Sequence, residues 1–213
     1  MENVKKIYVV GDMTYYADFI NNRELTKNIE EADIVLFTGG EDVDPSLYGC
    51  KPHRTTYSNL GRDLYEKKVF DKIRTDQLVV GICRGSQFLC VMNGGLLIQN
   101  VQNHAMFGTH EIYEPRTQRK YEITSTHHQM QYPYDLKMKV DYDILMYPSE
   151  QRSCRYEGDK IDELAVLVEP EVVLYHKENK PKCLAIQGHP EMMRKESQIV
   201  IRLNEIINEL VSK

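Results

Sequence analysis

The chain has 213 residues, enough for one domain that buries roughly 70% of its unfolded surface. Apolar residues make up 41% and charged residues 28%, and 32 acids against 27 bases leave a formal charge of −5. That balance lacks the basic excess on which nucleic-acid binding depends, and no apolar run approaches the roughly 20 residues that span a bilayer. The opening MENVKKIYVVGD turns polar too early for a secretory signal. The expectation is therefore a cytoplasmic protein with no nucleic-acid or membrane partner. Cys50, Cys83, Cys90, Cys154 and Cys183 are odd in number and contain no C-x-x-C pair, so they read as reduced thiols.

In chain order, residues 6–11, 33–38 and 77–82 are short apolar runs rich in Val and Ile. Such runs fit strands buried on both faces of a parallel sheet. Residues 60–74 place Leu60, Leu64, Val69 and Ile73 near helical spacing, and 86–92 read as a second helix. Strand, helix, strand, helix is the pattern of an α/β fold. Residues 121–125, 143–147, 163–168 and 172–176 read as shorter strands of an antiparallel extension, and 111–120 as an exposed polar loop. Residues 182–187 form another apolar strand that ends at GHPE. A closing helix over 195–211 carries a stripe of Ile199, Leu203, Ile206 and Leu210, widened by Val200 and Ile207. The expected architecture is a single α/β domain over 1–213, with a mostly parallel central sheet, flanking helices and an antiparallel extension.

The sharpest chemical signal is LVVGICRGSQFL, with Cys83 between Gly81 and Gly85. A nucleophile on a tight turn from strand to helix has this form, G-x-C-x-G in place of G-x-S-x-G. The helix N-terminus behind it favours thiolate, and ligands collect at the carboxyl ends of strands in open α/β sheets. A thiolate needs a base, and the base needs an orienting group. AIQGHPE supplies His189 and Glu191 at another strand end. With Pro190 between them the chain reads as extended, so Glu191 can hold a neighbouring imidazole or, after a small turn, that of His189. In LFTGGEDVDP, Gly39 and Gly40 let backbone approach a ligand, and with the N–H of Arg84 they could form an oxyanion hole. One such donor is typically worth about 10²–10³ in rate.

GICRGSQ, TGGEDVDPSLYG, STHHQ and GHPE occur in the order seen in class I glutamine amidotransferase-like proteins. Residues 42–49 and His127 to Gln129 resemble most the γ-glutamyl-γ-aminobutyrate hydrolase type, peptidase family C26. The resemblance implies a flavodoxin-like sheet, Cys83 as nucleophile, His189 as base and acid, and Glu191 as the group orienting His189. It implies backbone amides of Gly40 and Arg84 as the oxyanion hole, and Gln87, Ser125, His127 and His128 on the substrate side. The implied reaction is attack on a small γ-glutamyl amide and hydrolysis of the resulting thioester, with no cofactor. Two alternatives stay open: a glutaminase subunit that hands ammonia to a separate synthase chain, and a catalytically silent binding module. Self-association also stays open. Residue 188 is Gly where related hydrolases often carry an aromatic. His104, His110, His127 and His128 do not match H-x-x-x-H, so no metal site is expected. Asp42 and Asp44 read as capping the turn at Pro45.

Overall fold

The computed structural model describes residues 4–136 and 140–211. In chain order these form β1 (Lys5–Val10), β2 (Arg23–Leu25), β3 (Ile34–Phe37), α1 (Leu60–Phe70), β4 (Leu78–Ile82) and α2 (Arg84–Met92). The middle of the chain adds β5 (Leu96–Ile98), β6 (Asn100–Val101), β7 (Ala105–Glu114), β8 (Arg119–Thr126), β9 (Met130–Tyr132), β10 (Asp141–Pro148) and β11 (Tyr156–Glu157). The last elements are β12 (Val172–His176), β13 (Cys183–Ile186) and α3 (Gln198–Val211).

Nine strands share one sheet in the order β2-β1-β3-β4-β13-β12-β10-β7-β8. Pairing is parallel from β2 through β13 and antiparallel from β12 to the β8 edge. Two antiparallel ribbons, β5 with β9 and β6 with β11, stand apart from it. Every residue of β3 and β4 is buried, as expected where both faces of a parallel sheet are covered. On one face Ile34, Leu36, Val80 and Ile82 pack with Ile199, Leu203 and Ile206 of α3. On the other, Val35, Phe37 and Val79 pack with Phe88, Leu89 and Val91 of α2. Full burial of each such side chain is worth about 1.5–3 kcal/mol, so the strand ends between these layers are held firmly. No helix among the described residues is long and apolar enough to cross a membrane.

Three expectations are corrected. In α1, Leu60 and Leu64 are exposed while Asp63 and Glu66 are buried, because Arg84 from the start of α2 meets both acids on the inner face. Residues 163–168 are not a strand. A single 3-10 turn, Glu163–Ala165, is capped by the Asp162 side chain, and Leu164 and Leu167 face solvent. Residues 111–120 are not an exposed loop. They join β7 to β8, and the hairpin closes where the Gln118 N–H donates to the Glu114 carbonyl at 2.9 Å. Asp44 does cap the turn at Pro45, accepting from the Ser46 N–H at 3.0 Å, whereas Asp42 accepts from the Tyr57 N–H at 2.8 Å.

Candidate active site

Cys83 follows β4 at once and caps α2 with φ 51° and ψ −109°. A β-carbon disfavours that region, and holding a residue there costs on the order of 1–3 kcal/mol. Two glycines make the turn sterically possible. A β-carbon on Gly81 would stand 2.5 Å from the Gly85 carbonyl oxygen, and one on Gly85 would collide with the Phe37 carbonyl. The N–H groups of Ser86 and Gln87 return to the Cys83 carbonyl at 3.0 and 3.2 Å, and the Ser86 hydroxyl donates to it at 2.7 Å.

The β13 strand pairs in parallel with β4, and the Cys83 N–H donates to the Ile186 carbonyl at 2.8 Å. That register carries His189 to the same end of the sheet. Pro190 opens a short 3-10 turn, Pro190–Met192, instead of an extended segment. The turn folds Glu191 back onto its own neighbour: His189 Nδ1 lies 2.7 Å from Glu191 Oε1. The His189 N–H donates to Thr124 Oγ1 at 2.6 Å, which fixes the backbone from β8. Burial pulls the His189 imidazole down, but its hydrogen bonds with Cys83 and Glu191 outweigh burial and hold it up at about 10. Beside it, Gly188 has no room for a side chain, because Ile123 Cγ1 lies 2.5 Å from where a β-carbon would stand. An isoleucine from β8 fills that space, which accounts for the missing aromatic.

Gly40 has φ 141°, and Arg84 is the first residue of α2, where N–H groups lack an i−4 acceptor. The Arg62 guanidinium donates to the Gly39 carbonyl at 2.9 Å and to Thr38 Oγ1 at 3.1 Å. In a trans peptide C=O and N–H point oppositely, so the Gly40 N–H is turned away from Arg62. Arg62 Nε donates to Glu66 Oε1 at 2.8 Å, and the other oxygen of Glu66 accepts from the fully buried Arg84. Asp63 also accepts from Arg84, and from the Asp44 N–H at 2.8 Å. One carboxylate thus links the side chains that fix both glycine-loop and helix amides. Sequence reading missed Arg62, Asp63 and Glu66; their one visible signal was the i,i+4 spacing of Arg62 and Glu66.

Cys83, Gly40, Arg84, Gln87, His127 and His128 border one cavity of about 220 Å³. That is below the roughly 300–1,000 Å³ of drug-sized pockets, which suits a ligand of amino-acid size. Half-buried His128 places Nε2 3.1 Å from Asp42 Oδ1, and that hydrogen bond raises it above the usual histidine value. Gln87 Nε2 donates to the Gln129 carbonyl at 2.9 Å. His127 is buried with Nδ1 3.0 Å from the same carbonyl. Ser125 stands behind the cavity, its hydroxyl donating to the His104 carbonyl at 2.7 Å. Farther in, His104, His110 and His127 converge on Glu171.

The sequence model of the peptidase C26 family matches residues 3–141, a span that includes Cys83 and stops before His189 and Glu191. Protein NtpR of Enterococcus hirae is 30% identical over 99 residues, 39% of this chain and 41% of that protein. A glutamine amidotransferase-like protein of Rickettsia prowazekii is 30% identical over 133 residues, 62% of this chain and 44% of that one. The matched chain spans less than half the length of either relative. The structure of a GMP synthase component from Thermoplasma acidophilum superposes with a TM-score of 0.58 at 15% identity, covering 100% of this chain and 96% of that one. That likeness is one of fold.

Proposed function

The chain belongs to the peptidase C26 family, and from that premise we propose that it hydrolyses a γ-glutamyl amide bond, with Cys83 as nucleophile, His189 as general acid and base, and Glu191 holding His189 in place. The observation that carries this reading is the 2.7 Å contact of His189 Nδ1 with Glu191 beside a cysteine on a strained strand-to-helix turn. With Nδ1 committed to the carboxylate, Nε2 is the ring nitrogen that serves the sulfur.

The raised His189 supports an imidazolium partner for a thiolate. Sulfur attacks the γ-carbonyl carbon, and the carbonyl π electrons move onto oxygen, where the amides of Gly40 and Arg84 receive the charge. The tetrahedral adduct expels ammonia or an amine that takes a proton from His189. Neutral His189 then accepts a proton from water as its oxygen adds to the γ-glutamyl thioester, and Cys83 leaves as thiolate with glutamate as product. Gln87 borders the γ-glutamyl chain. At the distal end His128 offers a donor to the α-carboxylate and Asp42 an acceptor to the α-ammonium.

The test is release of ammonia or amine by the purified protein from L-glutamine and from γ-glutamyl-amines, with Cys83→Ala as the blank. Turnover by wild type alone is expected; equal turnover by Cys83→Ala overturns the mechanism. A second reading, a glutaminase subunit serving a separate synthase chain, draws on the fold likeness to the GMP synthase component. It predicts no basal turnover but alkylation of Cys83 by a glutamine-like electrophile.

A further inference from the structure

Behind the cavity lies a group of side chains that the proposed chemistry leaves unused. His104 precedes β7, His110 lies within it, His127 follows β8, and Glu171 precedes β12. All four are buried, with at most 4% of their surface exposed. His110 Nε2, His104 Nδ1 and His127 Nε2 stand 3.0, 3.4 and 3.5 Å from a single atom, Glu171 Oε1. Yet both nitrogens of His104 and His110, Nε2 of His127 and both oxygens of Glu171 make no aligned hydrogen bond. Leaving a buried polar atom unsatisfied costs about 1–3 kcal/mol, so this concentration of them calls for a common partner.

We propose that His104, His110 and Glu171 bind one divalent ion of the zinc class. Donor atoms of His104, His110 and Glu171 lie within 4.8 Å of one another. In a tetrahedral zinc site with bonds of about 2.0–2.1 Å, neighbouring donors are roughly 3.3 Å apart, close to the 3.0 and 3.4 Å that separate His110 Nε2 and His104 Nδ1 from Glu171 Oε1. The donor set is imidazole and carboxylate without sulfur, which zinc accepts. The surroundings also fit. His104 Nε2 lies 3.3 Å from Glu169 Oε2, the outer carboxylate that characteristically orients a metal-bound histidine. Glu169 is itself anchored by the N–H groups of Arg152 and Ser153 at 2.9 and 2.7 Å and by the Tyr156 hydroxyl at 3.0 Å.

Charge gives an independent argument. Among the described residues, the ion-pair partners of Glu169 and Glu171 are histidines alone, with no Lys or Arg. A divalent cation balances two carboxylates while the imidazoles stay neutral. With its donors enclosed, the site is structural: it ties β7 and the residue just before it to the start of β12, against buried His127. Local spacing could not reveal it, because the donors meet only through strand pairing.

The experiment uses the full chain carrying Cys83→Ala, which removes the competing thiol at the cavity. The protein is loaded with one equivalent of zinc and passed through gel filtration, and its metal content, zinc X-ray absorption spectrum and Tm are measured with and without a chelator. About one retained zinc per chain, a shell of nitrogen and oxygen without sulfur, and a Tm that falls on chelation and returns with zinc are expected. His110→Asn in the same background should retain less than a tenth as much. Absence of retained zinc with an unchanged Tm overturns the site, as does equal retention by folded His110→Asn. Should that variant fail to fold, stoichiometry and spectrum of the parent decide.

Discussion

Cys83 combines a reactive atom with a backbone conformation that only glycine adopts freely, and the two roles separate by substitution. Cys83→Ala removes the sulfur and keeps the strain, whereas Cys83→Gly removes both. We expect both to be inactive and both to fold, with Gly more stable than Ala by about 1 kcal/mol, a Tm difference of roughly 2–4 °C for a chain of this size. Calorimetry checks this, and an Ala variant at least as stable as Gly would mean that the turn is unstrained. The imidazole gives a pH prediction. His189 is raised from 6.5 to about 10, so the folded chain keeps a proton that the unfolded chain releases between those values. Its stabilisation is fully present below about pH 6.5 and lost as pH rises through 10. The stability gap between wild type and His189→Gln, measured by denaturant titration at pH 6, 8 and 10, should therefore narrow with rising pH; a constant gap contradicts the coupling. Residue motifs were the most legible part of the site, because the elbow and the histidine turn are each fixed by neighbours within a few positions.

The first helix shows where such legibility stops. Its leucines suggested an apolar inner face, but Asp63 and Glu66 face inward because Arg84 arrives from the Cys83 turn and Arg62 bends over the glycine loop. No local pattern encodes a partner eighteen residues away. On the proposed mechanism, Glu66→Gln loosens both anchors of the oxyanion amides while retaining hydrogen-bonding atoms. We expect kcat to fall about 10–100-fold with KM changed little, since a lost oxyanion donor costs about 10²–10³. Steady-state kinetics on folded protein checks this. Unchanged kcat would restrict Glu66 to a structural role. The antiparallel strands were legible in part. β8, β10 and β12 were found at least in part, while residues 111–120, the end of β7 and the start of β8, were read as loop because their polar residues hid a hairpin whose other neighbour, β10, lies farther along the chain.

At the scale of the whole molecule, that antiparallel edge is fastened to the core by a charge pair. Arg202 of α3 donates to Glu114 of β7 at 2.7, 2.9 and 3.1 Å, with Glu114 buried. Burial raises Glu114, but Arg202 outweighs it and holds the carboxyl below its usual value. The stabilisation is present above the unfolded carboxylate value and lost as pH falls through the folded one. Arg202→Ala strands a buried carboxylate and should cost about 3 kcal/mol. Its Tm deficit against wild type should shrink as the pH is lowered below about 4.5. A deficit independent of pH would assign the loss to packing of the arginine stem.

The order of the sheet also constrains how the chain is made. β13, the last strand of the described residues to be synthesised, sits between β4 and β12 and is the sole junction between the parallel and antiparallel halves of the described sheet. Until it emerges from the ribosome, both halves present open edges rich in Val, Leu and Ile, the kind of surface that pairs with other chains. Nascent chains stalled before Lys182 should therefore depend on chaperones and aggregate when these are withdrawn. On the proposed mechanism the same strand delivers His189 to Cys83, so a chain that has not closed its sheet is also one whose thiol has no base.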